Sequence, residues 1–264
     1  MLELLGFTLG QFEEFILIAM RTTSMISVMV IFSNSSMAPK LRIFLGFALA
    51  LMCVSVIPQP DLLPVTFMML IPLAIKEVLT GLALGYIGNI LFEALKFSGF
   101  LSARLMGLSM MTIVDPSSQE QNNVLSQLLV FFAIFLLFVS DGHLFFFKAI
   151  IDSFYVLPLF KLGFHNNIVL EMTKLVQNIF IIGIKISAPI LVILYMIRIV
   201  LGIMAKLNPD MNVFFVSLPL SILVGLYVMT LTWPYFAYIF GKVFQTFQSD
   251  YYTIMKLLAL LSPL

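Results

Sequence analysis

Residues able to do chemistry are few in this chain. The two histidines, His143 and His165, are far apart, and the single cysteine, Cys53, lies inside an apolar run. Metal centres draw on His, Cys, Asp and Glu side chains at ligand spacing, and a disulfide needs a second thiol. No metal site and no disulfide is therefore expected, and His143 reads as a hydrogen-bonded structural residue. Ser109 follows Gly107 in GLSM, but a nucleophile elbow needs a second glycine after the serine and a histidine to act as base. There is no G-x-x-x-x-G-K-[ST] phosphate loop and no H-E-x-x-H. The chain is expected to be no enzyme and to hold no cofactor.

What remains is charge in places where charge is costly. Lys76 and Glu77 stand together near the middle of the apolar run Val65 to Leu95. Each would cost about 2.5 to 3.5 kcal/mol at a bilayer centre on insertion scales. Neighbours on a helix point about 100° apart, so the two do not satisfy each other fully, and at least one is expected to meet another helix or subunit. Lys148 and Asp152, four apart, are placed to pair along one helix side. Lys174, Lys185, Arg198 and Lys206 punctuate a long apolar stretch with no acid between Glu171 and Asp210. They call for water, headgroups or acidic partners.

The most polar interior stretch is Met106 to Asn123, MGLSMMTIVDPSSQEQNN. The Asp115-Pro116 step disfavours helix at Asp115. Two readings stand: a surface hairpin between spans, or a bent, re-entrant segment. Non-helical backbone at membrane depth survives only where protein buries it or where it lines a water-filled cavity. The second reading therefore sends the segment into a pore or cavity built by the flanking helices.

Composition sets the class of the elements that hold these residues. With 61% apolar and 10% charged residues and a mean hydropathy of +1.11, the chain is far from a soluble domain, which averages about 45–50% apolar and about 25% charged. It reads as an all-α, polytopic membrane protein of kinked helical hairpins. A net charge of +1 gives no reason to invoke nucleic acid. The start, MLELLGFTLGQFEEF, lacks a basic segment, so the first helix is expected to be retained. Against 27 Phe and 17 Met there is one Trp, Trp233, so an interfacial Trp belt is thin. Burial among other proteins and a Phe-rich membrane bundle both fit.

Taken in order, apolar runs span Phe12 to Phe32, broken by Arg21, then Ile43 to Ile57 and Val65 to Leu95. The first connection, SNSSMAPKLR, stops a helix at Asn34, Ser35, Ser36 and Pro39; Lys40 and Arg42 in it suggest a cytoplasmic face. Gly81, Gly85 and Gly88 share one face and suit close helix packing. Phe97 to Leu105 leads into the central segment, and Val124 to Ser140 is the most helix-like span, closed at Asp141-Gly142-His143. The stretch beginning at His143 is too short for an obvious full span. Another long apolar stretch runs from Ile168 to a break at Asn208-Pro209. Met211 to Gly241 reads as one kinked span or two half-spans, with Pro219, Gly225 and Pro234 available for kinks. The tail from Lys242 is amphipathic.

At MGLSMMTIVDPSS, with DGHLFFFKAIIDSFYVLPL and LNPDMNVFFVSLPLSILVGL downstream, the chain resembles the FliR family, the R subunit of the flagellar type III export gate, and its injectisome counterparts. Length and order of segments match over essentially the whole chain, and the GLS-x-x-T-x-VDP core with a downstream GH looks flagellar. The resemblance implies a single R subunit packed with copies of the P and Q subunits into a closed helical assembly, beside the B-type switch subunit. It implies a bacterial inner membrane location at the flagellar basal body, with unfolded export substrates and membrane lipid as further partners. It also implies one FliR-type domain over residues 1–264, with a P-like portion over about 1–205 and a Q-like portion over 206–264. The family's central segment projects into the channel and helps plug it, and this maps onto Met106, Gly107, Leu108, Ser109, Met110, Met111, Thr112, Ile113, Val114, Asp115 and Pro116. Several members carry phenylalanine at the positions of Met110 and Ile113, so this sequence offers an aliphatic, Met-lined seal. Lys76, Glu77, Lys185 and Arg198 become charges at subunit interfaces or lumen water. The competing class is a stand-alone polytopic transporter or channel for small solutes.

Overall fold

The computed structural model describes residues 9–33, 38–57, 67–108, 124–159, 166–208, 210 and 212–259. Every regular element among them is a helix: α1 (Leu9–Val28), α2 (Val30–Ser33), α3 (Pro39–Val54), α4 (Phe67–Met106), α5 (Val124–Val139), α6 (His143–Val156), α7 (Asn166–Leu207) and α8 (Val213–Ala259). Among the described residues, three helical stretches are long and apolar enough to cross a bilayer, Leu70–Met106, Leu170–Leu207 and Val213–Ala259, or four if α5 and α6, bent by 79° from each other, make one span. The protein is an all-α polytopic membrane protein.

Several helices are longer than the apolar runs suggest. The runs Val65 to Leu95 and Phe97 to Leu105 are one helix, because Lys96 does not interrupt it: its Nζ donates to Glu93 Oε1 at 2.6 Å one turn back, with both side chains partly exposed. Likewise α8 continues through Lys242 to Ala259, so the amphipathic tail extends a helix of 47 residues that contains both Pro219 and Pro234. Pro39 begins α3 instead of ending a helix. Its missing N–H is one of the unpaired amides of a first turn, and its fixed φ suits that position. Lys40 and Arg42 therefore sit in the first turn of α3. Asp141, between α5 and α6, takes φ 54, a left-handed conformation that a short polar side chain tolerates.

The chain divides into two compact units. The first comprises Met1–Ile90, Ser140–Lys174 and Phe247–Leu264. In it α1 lies against α3 and α4 through small residues. A Cβ added at Gly81 would overlap Ser24 Oγ and the Arg21 carbonyl, one at Gly85 would come within 2.6 Å of the Met25 carbonyl, and one at Gly46 would meet Thr23 Oγ1 at 2.5 Å. Gly88 has more room, its nearest neighbour Met29 Cε at 3.5 Å. The glycine face read from the sequence is thus a contact face. Asn89 of α4 covers the break between α1 and α2. Its Oδ1 accepts the Val30 N–H at 2.6 Å and its Nδ2 donates to the Val28 carbonyl at 2.5 Å, pairing backbone groups that lipid could not satisfy. Phe145 and Phe146 of α6 join Phe247 and Tyr251 of α8 in an aromatic cluster.

The second unit comprises Leu91–Val139 and Leu175–Thr246. Gly99 of α4 approaches the backbone of Ser126 in α5, and Ser126 Oγ donates to the Lys96 carbonyl at 2.9 Å. Phe97 meets Phe180 of α7 edge to face at 5.1 Å. Along α8, Trp233, Phe236, Phe240 and Phe244 stack at three- and four-residue spacing, and Phe132 of α5 lies 3.6 Å from the Trp233 ring. Trp233 thus belongs to an aromatic ladder, which accounts for its place in the interior of a helix.

Candidate functional site: the mount of the central segment

The central segment leaves α4 at Met106. Within it, Met106, Gly107 and Leu108 are described, whereas Ser109, Met110, Met111, Thr112, Ile113, Val114, Asp115 and Pro116 lie outside the described residues. The last turn of a helix leaves carbonyls without intrahelical partners, and glycine in the left-handed region commonly closes it. Gly107 has φ +83, and its N–H bonds to the Arg104 carbonyl at 3.3 Å. The neighbouring Leu105 carbonyl accepts a hydrogen bond from Nη2 of Arg198, on α7, at 3.0 Å.

Side chains of α8 complete the surroundings. Met106 is fully buried and lies across Gly225, where an added Cβ would fall 2.6 Å from both Met106 Cγ and Cε. Leu218, two helical turns before Gly225, packs at Gly107, with its Cδ2 2.6 Å from where a Cβ would be. Met106, read by type as part of a seal, is an interior side chain within this unit.

Among the charges singled out by sequence, Glu77 is 2% exposed and takes its partner from its own chain. Arg21 Nε donates to Glu77 Oε2 at 2.5 Å, and Arg21 Nη1 donates to the carbonyls of Ser153 at 3.2 Å and Leu157 at 2.7 Å. Sequence reading had passed over Arg21 as a mere interruption of an apolar run. The signal was an arginine inside such a run with a carboxylate in another. Lys76 and Lys185 are exposed. Lys174 finds a local partner in Glu171, at 2.6 Å and three residues away. The expected Lys148 to Asp152 pair does not form, because Asp152 Oδ2 instead accepts the Tyr252 hydroxyl at 2.6 Å. No group of three or more His, Cys, Asp or Glu residues is placed to hold a metal ion among the described residues.

A profile of the bacterial export proteins, family 1, matches residues 12–247. The flagellar biosynthetic protein FliR of Escherichia coli strain K12 is 28% identical over 229 residues, covering 85% of this chain and 87% of that protein. FliR of Bacillus subtilis strain 168 is 28% identical over 253 residues, covering 94% and 96%. FliR of Aquifex aeolicus strain VF5 is 28% identical over 218 residues, covering 82% and 84%. The match reaches from the second turn of α1 nearly to the end of α8, taking in the mount at Met106 and the segment that leaves it, so the chain belongs to family 1 of the bacterial export proteins, alongside the flagellar FliR proteins.

Proposed function

We propose that this protein is the R subunit of a flagellar type III export gate, a non-enzymatic wall and stopper for the channel through which unfolded flagellar proteins leave the cell. The match to the export family over residues 12–247 carries this reading. The polar segment between the long α4 and the shorter, uncharged apolar α5 supports it. The proposed partners are the P and Q subunits in a hetero-oligomer with one R copy, the B-type switch subunit, the unfolded substrates and the surrounding lipid. The proposed location is the bacterial inner membrane at the flagellar basal body. The division into a P-like portion to about residue 205 and a Q-like portion from 206 is consistent with the break between α7 and α8.

The segment from Met106 to Pro116 acts as the stopper. Met110, Met111 and Ile113 supply flexible apolar surface, which excludes water and ions from a constriction by dewetting. Unbranched methionine reshapes around substrates of varied sequence. Met106 holds the base of the segment. Exposed cations such as Lys76 and Lys185 face neighbouring subunits or lumen water, where acids or hydration offset their cost.

Two measurements test the reading. Purified in mild detergent, the protein should emerge in one large complex with the other gate subunits; a monomer or small homo-oligomer would instead indicate a stand-alone solute transporter. Deleting residues 108–117 should raise ion conductance through the closed complex, and unchanged conductance would remove the stopper role.

A further inference from the structure

The outward residues of α8 change character part-way along the helix, while its inward residues do not. From Phe214 to Leu231 the exposed side chains are mostly apolar, with Phe215, Leu220, Leu223 and Leu226 among them. From Lys242 onward they are polar: Lys242, Gln245, Thr246, Ser249, Thr253 and Lys256. The buried side stays apolar or aromatic across the same point, from Val228 and Phe236 through Phe244 to Ile254 and Leu258. A change confined to the outward side reports a change in what surrounds the helix, since exposed apolar groups gain by leaving water and polar ones do not. The apolar part has the depth of a membrane interior. Phe214 to Pro234 rises about 30 Å at about 1.5 Å per residue, against about 30 Å of hydrocarbon. No charged residue occurs between Asp210 and Lys242. Exposed Asp210 and Asn212 precede the stretch, and exposed Tyr235, Tyr238 and Lys242 follow it.

We propose that the outward stripe of α8 is a lipid-binding surface, with phospholipid acyl chains along Phe214 to Pro234 and anionic headgroups at Tyr238 and Lys242. Tyrosine fits the boundary because its ring is apolar and its hydroxyl wet, and a lysine stem reaches from there to a phosphate. Lys242 Nζ lies 5.8 Å from the centre of the Tyr238 ring, which holds the cation beside that boundary. Polar groups inside the stretch are arranged as lipid requires. The hydroxyls of Ser217 and Thr230 donate to the carbonyls of Phe214 at 3.1 Å and Leu226 at 2.9 Å, and so do not seek a partner in hydrocarbon. Pro219 and Pro234 deprive the carbonyls of Phe215 and Thr230 of their ordinary helical donors. Both carbonyls lie within about one turn of an end of the stretch, where headgroup water reaches.

The test uses the full-length chain in its native membranes, with Leu223, Leu231 and Gln245 replaced one at a time by photoreactive benzoylphenylalanine and the products sorted by mass. All three positions are exposed, so the packed side of the helix is untouched. Positions 223 and 231 should give adducts with phospholipid acyl chains, and position 245 should give none. Adducts with another protein at 223 or 231 would overturn the lipid surface by assigning it to a neighbouring chain, and so would the absence of any adduct there. Acyl adducts at 245 would overturn the boundary. The headgroup is read with the same probe at Gly241, where an added Cβ meets nothing within 4 Å, after transfer of the protein and its accompanying subunits into nanodiscs of phosphatidylethanolamine and phosphatidylglycerol. Lys242→Gln should lower the share of phosphatidylglycerol among the adducts about fivefold, as expected for one cation at an anionic surface. Lys242→Arg should keep that share, and an unchanged share in Lys242→Gln would remove the headgroup contact. Neither readout depends on export, so the surface stands or falls apart from the gate reading.

Discussion

Arg21 on α1 and Glu77 on α4 form an ion pair at 2.5 Å with each side chain only 2% exposed. The same guanidinium holds the carbonyls of Ser153 and Leu157, at the end of α6, and sits 4.6 Å from the centre of the Phe154 ring. One side chain thus ties three helices of the first unit together. Removing a single partner leaves a buried charge without compensation, which costs about 3–5 kcal/mol, whereas replacing both by apolar groups can be nearly neutral.

Glu77→Ala should therefore lower the thermal midpoint and the yield of folded protein, and Arg21→Met should do so more strongly, since it also takes a donor from the Leu157 carbonyl, whereas the Ser153 carbonyl keeps the Leu157 N–H. The double variant Arg21→Met with Glu77→Leu should be less destabilised than the sum of the two. Thermal unfolding in detergent checks the cycle, and strict additivity would remove the coupling.

The glycines make a contrasting set. Alanine at Gly81 or Gly85 must push α1 away from α4, which typically costs about 1–3 kcal/mol. Gly88→Ala should be milder, because its nearest neighbour is a flexible methionine terminus at 3.5 Å. Gly241 has nothing within 4 Å, and alanine there should leave the isolated chain unchanged or gain up to about 1 kcal/mol through helix propensity. The same melting experiment ranks all four.

Lys185 is exposed among Ile181, Ile184 and Val192, all exposed as well. If, as proposed, Lys185 meets an acid of a neighbouring subunit, Lys185→Leu is expected to cut recovery of the assembled complex about tenfold, because it leaves that acid unpaired. Lys185→Arg should retain most of it. Affinity purification through another gate subunit gives the ratio, and full recovery of Lys185→Leu would make the charge incidental to assembly.

Much of this architecture was legible in the chain. The class follows from composition, the α1 contact face from Gly81, Gly85 and Gly88, and the edges of α5 from the uncharged run and the Asp141-Gly142 turn. Lone charges were harder to assign. Sequence spacing matched Lys148 with Asp152, yet a tyrosine one hundred residues away took the carboxylate, since local register says nothing about which helix arrives opposite. Arg21 was passed over for a related reason. It reaches a backbone carbonyl at a helix end, that of Leu157, as Arg198 does at Leu105, and a carbonyl leaves no trace in the pattern of side chains. Counting acids to find counter-charges misses such acceptors.

The length of α8 has a consequence for what surrounds the protein. At about 1.5 Å per residue, its 47 residues make a rod of about 70 Å, while the oily interior of a membrane is about 30 Å deep. Lipid tails can clothe less than half of that rod at any one time. Leu223, Tyr227, Leu231, Tyr235 and Tyr238, all open on its flank, span about 23 Å at that rise, a length that one oily layer can cover, so the remaining turns of the rod reach beyond it.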